Sequence, residues 1–298
     1  MPFLGEISAL LTACSWSGSS IAFAEATKRV SSVIVNVVRL TLAATILLLV
    51  VLLFRIDLKL SVAQMEYLAI SGVIGFAAGD SFLFLAFQRL GARITMLVMS
   101  LAPAVAAALA YLILDESLSI FGLTGIALTM LGICIVILER KELNGGSRKV
   151  HLSPAGILLA VLAAVGQGSG LVCAKIAFRE GNVNGFSATL VRIVASLLVL
   201  IPVTLVAGKL KNPVAIFRTD RKAFRFTVLG SIFGPFLGVV GSLVAIQHTK
   251  IGIAATLMAT TPLIMLPLVH IIHKERLEWR AFAGSFVAVA GVAVLFLH

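Results

Sequence analysis

Gly79 to Leu138 reads GDSFLFLAFQRLGARITMLVMSLAPAVAAALAYLILDESLSIFGLTGIALTMLGICIVIL, and Gly238 to Leu297 reads GVVGSLVAIQHTKIGIAATLMATTPLIMLPLVHIIHKERLEWRAFAGSFVAVAGVAVLFL. Laid over one another without a gap, they match Gln88 to Gln247, Pro103 to Pro262, Glu116 to Glu275, Gly125 to Gly284 and Gly132 to Gly291. Chance agreement between apolar stretches falls on Leu and Ala. Agreement on a proline, a glutamine and a glutamate argues for duplication, with one unit built twice.

That unit belongs in a membrane. Hydrophobic residues make up 60% of the chain and charged residues 12%, whereas a soluble domain carries about 25% charge. Charge-free stretches long enough to cross about 30 Å of hydrocarbon recur at Ile94 to Leu114, Ser117 to Leu138, Leu152 to Ala174 and Phe226 to Gln247. Ten-residue segments alternating apolar and polar, the mark of a membrane barrel, are not visible, so the spans are helices. We read an all-α integral membrane protein with spans near 4–25, 33–54, 66–88, 94–114, 118–138, 153–175, 186–207, 226–247, 251–272 and 280–297. The first span lacks a basic leader and is expected to be a retained helix and not a cleaved signal.

One polar linker, residues 139–152 with Asn144-Gly145-Gly146-Ser147 inside it, separates a first five-helix unit at 1–138 from a second at 153–298. An odd number of spans per unit sends the second copy into the membrane from the opposite side, an inverted-topology repeat. Seventeen of the 24 lysines and arginines fall in the loops after spans 1, 3, 5, 7 and 9, and four in the loops after spans 2, 4, 6 and 8. The excess of positive charge on the cytoplasmic side predicts a cytoplasmic linker and external termini, in a multi-pass plasma (inner) membrane protein. Such dispersed basic residues explain the net charge of +11 without nucleic acid as a partner. Cys14, Cys134 and Cys173 lie singly in apolar segments and are expected to pack in the core, with no disulfide or metal site. No Walker loop or His-rich cluster calls for a cofactor.

The stretch Gly79-Asp80-Ser81-Phe82-Leu83-Phe84-Leu85-Ala86-Phe87-Gln88, with Gly91-Ala92, Pro103, Asp115-Glu116-Ser117-Leu118 and Gly125 to Gly132, resembles the repeat of the drug/metabolite transporter superfamily, EamA type. Ala245, Gln247, Gly252, Pro262, Glu275, Leu277, Gly284 and Gly291 carry it in the second copy, where His273-Lys274 departs from the usual pattern before Glu275. The resemblance implies a ten-helix carrier of small metabolites, often an exporter, with a central cavity lined by spans 3, 4, 8 and 9.

Several residues sit where hydrocarbon makes them costly. Asp80, well inside span 3, costs at least about 2.5–3.5 kcal/mol unless it is paired, solvated or protonated. Its readings are cavity lining with proton coupling or recognition of a cationic amine, and alternatively structural pairing with a basic residue, for which Lys175 at the end of span 6 is one candidate. Arg39 and Arg192 occur in matching contexts, Val37-Val38-Arg39-Leu40 and Leu190-Val191-Arg192-Ile193. Each either snorkels to an interface or captures a substrate carboxylate or phosphate. Ser81, Gln167 and Ser242 are further candidates for an aqueous cavity, and Trp16 for an interfacial anchor or a cavity wall.

Glycines mark close helix contacts, Gly75 and Gly79 in span 3 and Gly234 and Gly238 in span 8; packing of these equivalent helices against each other would place a site on the pseudo-two-fold axis. Pro103 and Pro262 lie mid-span, predicting matched kinks that serve as hinges, with Ser100, Thr260 and Thr261 near the loosened backbone. The reading that joins these features is a secondary transporter of a small polar metabolite such as an amino acid, exported by alternating access with possible proton coupling. It works in the lipid bilayer as a monomer or homodimer. The alternatives are a channel or static scaffold and an integral-membrane enzyme; the single acidic residue well inside a span leaves the enzyme no acid/base pair.

Overall fold

A computed structural model of the chain describes residues 3–114, 120–142, 153–181, 183–209, 212–248, 257–273 and 279–296. Residues 143–152 of the linker, together with Glu116, Glu275, Gly252 and Lys274, lie outside the described residues. Helices joined by short turns and loops make up the described residues, which contain no strand. Its helices in the first half are α1 (Leu4–Arg29), α2 (Ser32–Leu53), α3 (Val62–Gly72), α4 (Asp80–Met99), α5 (Ala102–Leu114) and α6 (Ile120–Glu142). The second half follows with α7 (Pro154–Arg179), α8 (Gly185–Val206), a short α9 (Pro213–Thr219), α10 (Arg221–Ser231), α11 (Val239–His248), α12 (Thr261–His273) and α13 (Trp279–Phe296). Polar side chains close the starts that face the loops. Ser61 and Gln64 form a reciprocal cap on α3, Ser153 caps α7 ahead of Pro154, and Asp220 caps α10.

The duplication reaches further in three dimensions than in sequence. Helices α1 and α7 both have 26 residues, α2 and α8 both 22, α3 and α10 both 11, and α5 and α12 both 13. Between α3 and α4, and again between α10 and α11, the helix widens into a π segment, Val73–Gly79 and Ile232–Gly238 respectively. These two seven-residue stretches are equivalent under the gapless alignment of the quoted repeats. In the first, the Asp80 N–H reaches back five residues to the Gly75 carbonyl. A π turn holds more than the usual 3.6 residues, so it rotates the helix face that follows it.

The halves interlock. Helix α1 packs along α10, the second π segment and α11, while α7 packs along α3, the first π segment and α4. Each repeat therefore lays its first helix on the third helix of the other. Helices α6 and α13 form the most extensive pairing. There, a Cβ added at Gly132 would overlap the backbone of Gly284 and Ala288, and one at Gly291 would overlap Gly125 and Thr129. Thr129 Oγ1 also reaches the carbonyl of Ala288, its own repeat equivalent, at 3.4 Å. A residue in contact with its own counterpart marks the pseudo-two-fold axis.

This geometry corrects the expectation for spans 3 and 8. Gly79 closes on Gly166 of α7, and Gly75 faces Gly166, Gln167 and Arg192, while Gly234 and Gly238 close on Ser19 and Trp16 of α1. The glycines of each third span thus serve the opposite repeat's first helix, and α6 with α13 supplies the contact on the axis. Residues 208–225, expected as loop, contain α9, whose Phe217 stacks on Phe224 at 5.5 Å. Cys14 and Cys134 are exposed on the apolar exterior and not packed in the core, and all three cysteines are free.

The expected kinks are complete breaks. Helix α4 ends at Met99 after a non-helical Gly91 (φ 75°), and α5 begins at Ala102, so Pro103 stands in the first helical turn, where its missing N–H costs nothing. Pro262 takes the same place at the start of α12. Hydroxyls at the breaks donate to nearby carbonyls, Ser100 Oγ to Leu97 O (2.6 Å), Thr260 Oγ1 to Leu257 O (2.6 Å) and Thr261 Oγ1 to Met258 O (2.7 Å), the last being the carbonyl four residues before Pro262. Both breaks also touch the opposite repeat's first helix. Ser17 Oγ of α1 donates to Thr261 O at 3.1 Å, and Gly168 of α7 lies so close to Ala102 O that an added Cβ would stand 2.9 Å from it.

Among the described residues, six elements are long and apolar enough to cross a membrane: Leu4–Arg29, Ser32–Leu53, Val62–Met99, Pro154–Arg179, Gly185–Val206 and Arg221–Ser242. Shorter apolar helices complete a ten-helix membrane architecture of two repeats.

Candidate functional site

Asp80 is the first residue after the first π segment and is 2% exposed. Arg39 of α2 donates from Nη2 to its Oδ2, and Gln167 of α7 donates from Nε2 to its Oδ1 at 2.7 Å. Two helices of the first repeat and one of the second meet on a single carboxylate. The approach depends on glycine: a Cβ on Gly166 would lie 2.8 Å from the Gly79 Cα, and one on Gly79 would be tight at 3.4 Å from Gln167 N.

Arg39 does not snorkel. It is 8% exposed, and its guanidinium lies over the rings of Phe84 (5.1 Å) and Phe23 (5.6 Å) while donating to Asn36 Oδ1 at 3.2 Å. Asn36, itself fully buried, extends the network through its Nδ2 to Ser81 Oγ (3.3 Å) and to Phe76 O (3.4 Å). The partner of Asp80 is accordingly Arg39 and not Lys175, whose side chain is exposed at the end of α7. Asn36 is a residue that sequence reading passed over. The signal was present: a lone amide in an apolar run, one turn before Arg39 and on the same helix face.

Arg192 occupies the position in α8 that Arg39 occupies in α2, eighth in a helix of the same length. Its surroundings differ. In the second repeat the residue after the π segment is Val239, so no carboxylate stands where Asp80 does. Arg192 instead turns to the first repeat's π segment, with its guanidinium 4.5 Å over Phe76 and within electrostatic reach of Asp80. Among the described residues it makes no ion pair, and its buried Nε has no hydrogen-bond partner.

Asp80, Arg39, Gln167, Ser81 and Arg192 are thus brought together. Ser242 and Trp16 are not part of that cluster. Ser242 Oγ bonds the Val239 carbonyl of its own helix at 2.8 Å, and Trp16 packs on Gly238. Buried charges bound in this way hold α2, α4 and α7 in register, and any change in the charge of Asp80 alters contacts in both repeats.

One solved crystal structure superposes on this chain with a TM-score of 0.68 at 16% sequence identity, covering 98% of this chain and 96% of the other. That likeness is one of fold. No curated protein matches the chain. The model of the EamA-like transporter family matches residues 3–138 and again residues 154–297. With both halves matched in turn, the chain belongs to the EamA-like transporter family.

Proposed function

We propose that this membrane transporter is a secondary carrier that exports a small polar metabolite, such as an amino acid, across the plasma (inner) membrane by alternating access. The observation that carries the proposal is the buried Arg39–Asp80–Gln167 cluster, which joins the two repeats through one titratable group. Protonating Asp80 removes the charge that holds Arg39, so proton uptake loosens α2 from α4 and biases one arrangement of the repeats over the other. The equivalent breaks before Pro103 and Pro262 place loosened backbone at matching positions in both halves, where relative motion needs it. A proton gradient then drives export, with the linker on the cytoplasmic side.

Reconstitution in liposomes tests this. A carrier saturates with substrate, accelerates efflux when substrate is present on the far side, and responds to an imposed pH gradient. Flux that rises linearly with concentration and shows no counter-transport would make the protein a channel. Comparing retained metabolites between a deletion strain and an overexpressing strain identifies the substrate to use.

A further inference from the structure

We infer that the transported species is a small organic monoanion whose carboxylate is taken by Arg192, beside Gly75. The inference rests on the carrier reading and narrows its substrate class from small polar metabolites to anionic carboxylates, away from zwitterionic amino acids. Charge decides it. Within the cluster Arg39 pairs with Asp80, Gln167 donates to the same carboxylate, and Arg192 makes no ion pair among the described residues, so Arg39, Asp80 and Arg192 together carry one net positive charge. A half-buried guanidinium with its Nε fully buried and no ion-pair partner among those residues is costly inside a membrane span, and a bound anion lowers that cost.

Position supports the same assignment. A Cβ built on Gly75 would stand 3.6 Å from Arg192 Nη2, in ordinary contact, so Gly75 borders the guanidinium donors. The Phe76 ring lies 4.5 Å from the guanidinium carbon, and a guanidinium carries its donors in the plane, the geometry a carboxylate accepts. A phosphate ester carries about −1.5 to −2 charges near neutrality, more than this single spare cation balances. A zwitterion brings an ammonium as well, and the one carboxylate at the site, Asp80, already has its charge balanced by Arg39. The internal symmetry explains how the surplus arises, since Val239 stands where the second copy would need an acid to neutralise Arg192.

The test uses the full chain in liposomes loaded with the small-molecule extract of its expression host, with mass spectrometry identifying which species leave faster than from protein-free liposomes. The expected set is small carboxylates bearing one net negative charge. Arg192→Gln lowers their efflux about tenfold or more, Arg192→Lys restores part of it, and Gly75→Ala lowers it without loss of folding, because its added methyl meets only ordinary contacts. Release of mainly zwitterions, cations, neutral species or phosphate esters by the wild type overturns the inference while leaving a carrier. Wild-type efflux of the carboxylates by Arg192→Gln overturns it as well. No protein-dependent release of any species overturns the carrier reading, and this inference with it.

Discussion

Arg39 and Asp80, 41 residues apart in the chain, form a buried ion pair at the junction of the two repeats. Removing one member of such a pair leaves the other charge buried and unmatched, at a cost of about 3–5 kcal/mol, whereas replacing both with apolar residues of similar volume is often neutral. Asp80→Ala and Arg39→Met are therefore each expected to lower the melting temperature in detergent sharply, and the double variant Arg39→Met with Asp80→Leu to recover most of it. Transport stays absent in the double variant. Normal pH-dependent transport by well-folded Asp80→Asn would remove the coupling role, and normal transport by the double variant would reduce the pair to packing.

The glycines of the α6–α13 seam give the second prediction. Gly132→Val and Gly291→Val drive side-chain atoms into the facing backbone and are expected to cost about 1–3 kcal/mol or more each, seen as lost monodisperse protein on size exclusion. Gly18 is a built-in control. An added Cβ there meets nothing within 4 Å, so Gly18→Ala is expected to be neutral or to gain up to about 1 kcal/mol from helix propensity. Equal tolerance of all three substitutions would contradict the assigned axis.

Most of the architecture was legible in the chain because lipid demands long apolar helices and duplication leaves its glycines and prolines in register. The cost of Asp80 was legible for the same reason. Its partner was not, since Arg39 and Asp80 meet only after the π segment at Val73–Gly79 has turned the helix face, and a 3.6-residue period gives no sign of an inserted π turn. The prolines were read as mid-helix kinks because the Ser100-Leu101 break carries no glycine. The partners of the span 3 and span 8 glycines were misplaced because a small-residue stripe says that something packs closely there and not which helix does.

Orientation is the third prediction. With the native cysteines replaced, a single Cys at Gly146 is expected to resist an impermeant thiol reagent in intact cells, while a Cys appended after His298 reacts. The reverse pattern would turn the topology over and, with it, the direction assigned to proton-driven export.

Alternating access predicts that equivalent helices of the two repeats exchange arrangements as the carrier turns over. Leu112 on α5 and Ile271 on α12 occupy equivalent, exposed positions beyond the two breaks and suit spin labels. Distances between them, measured in a preparation shown to transport, are expected to fall into two populations whose proportions shift between acidic and alkaline pH and on adding the transported metabolite. A single distribution that stays unchanged under every condition would contradict motion of the repeats about those breaks.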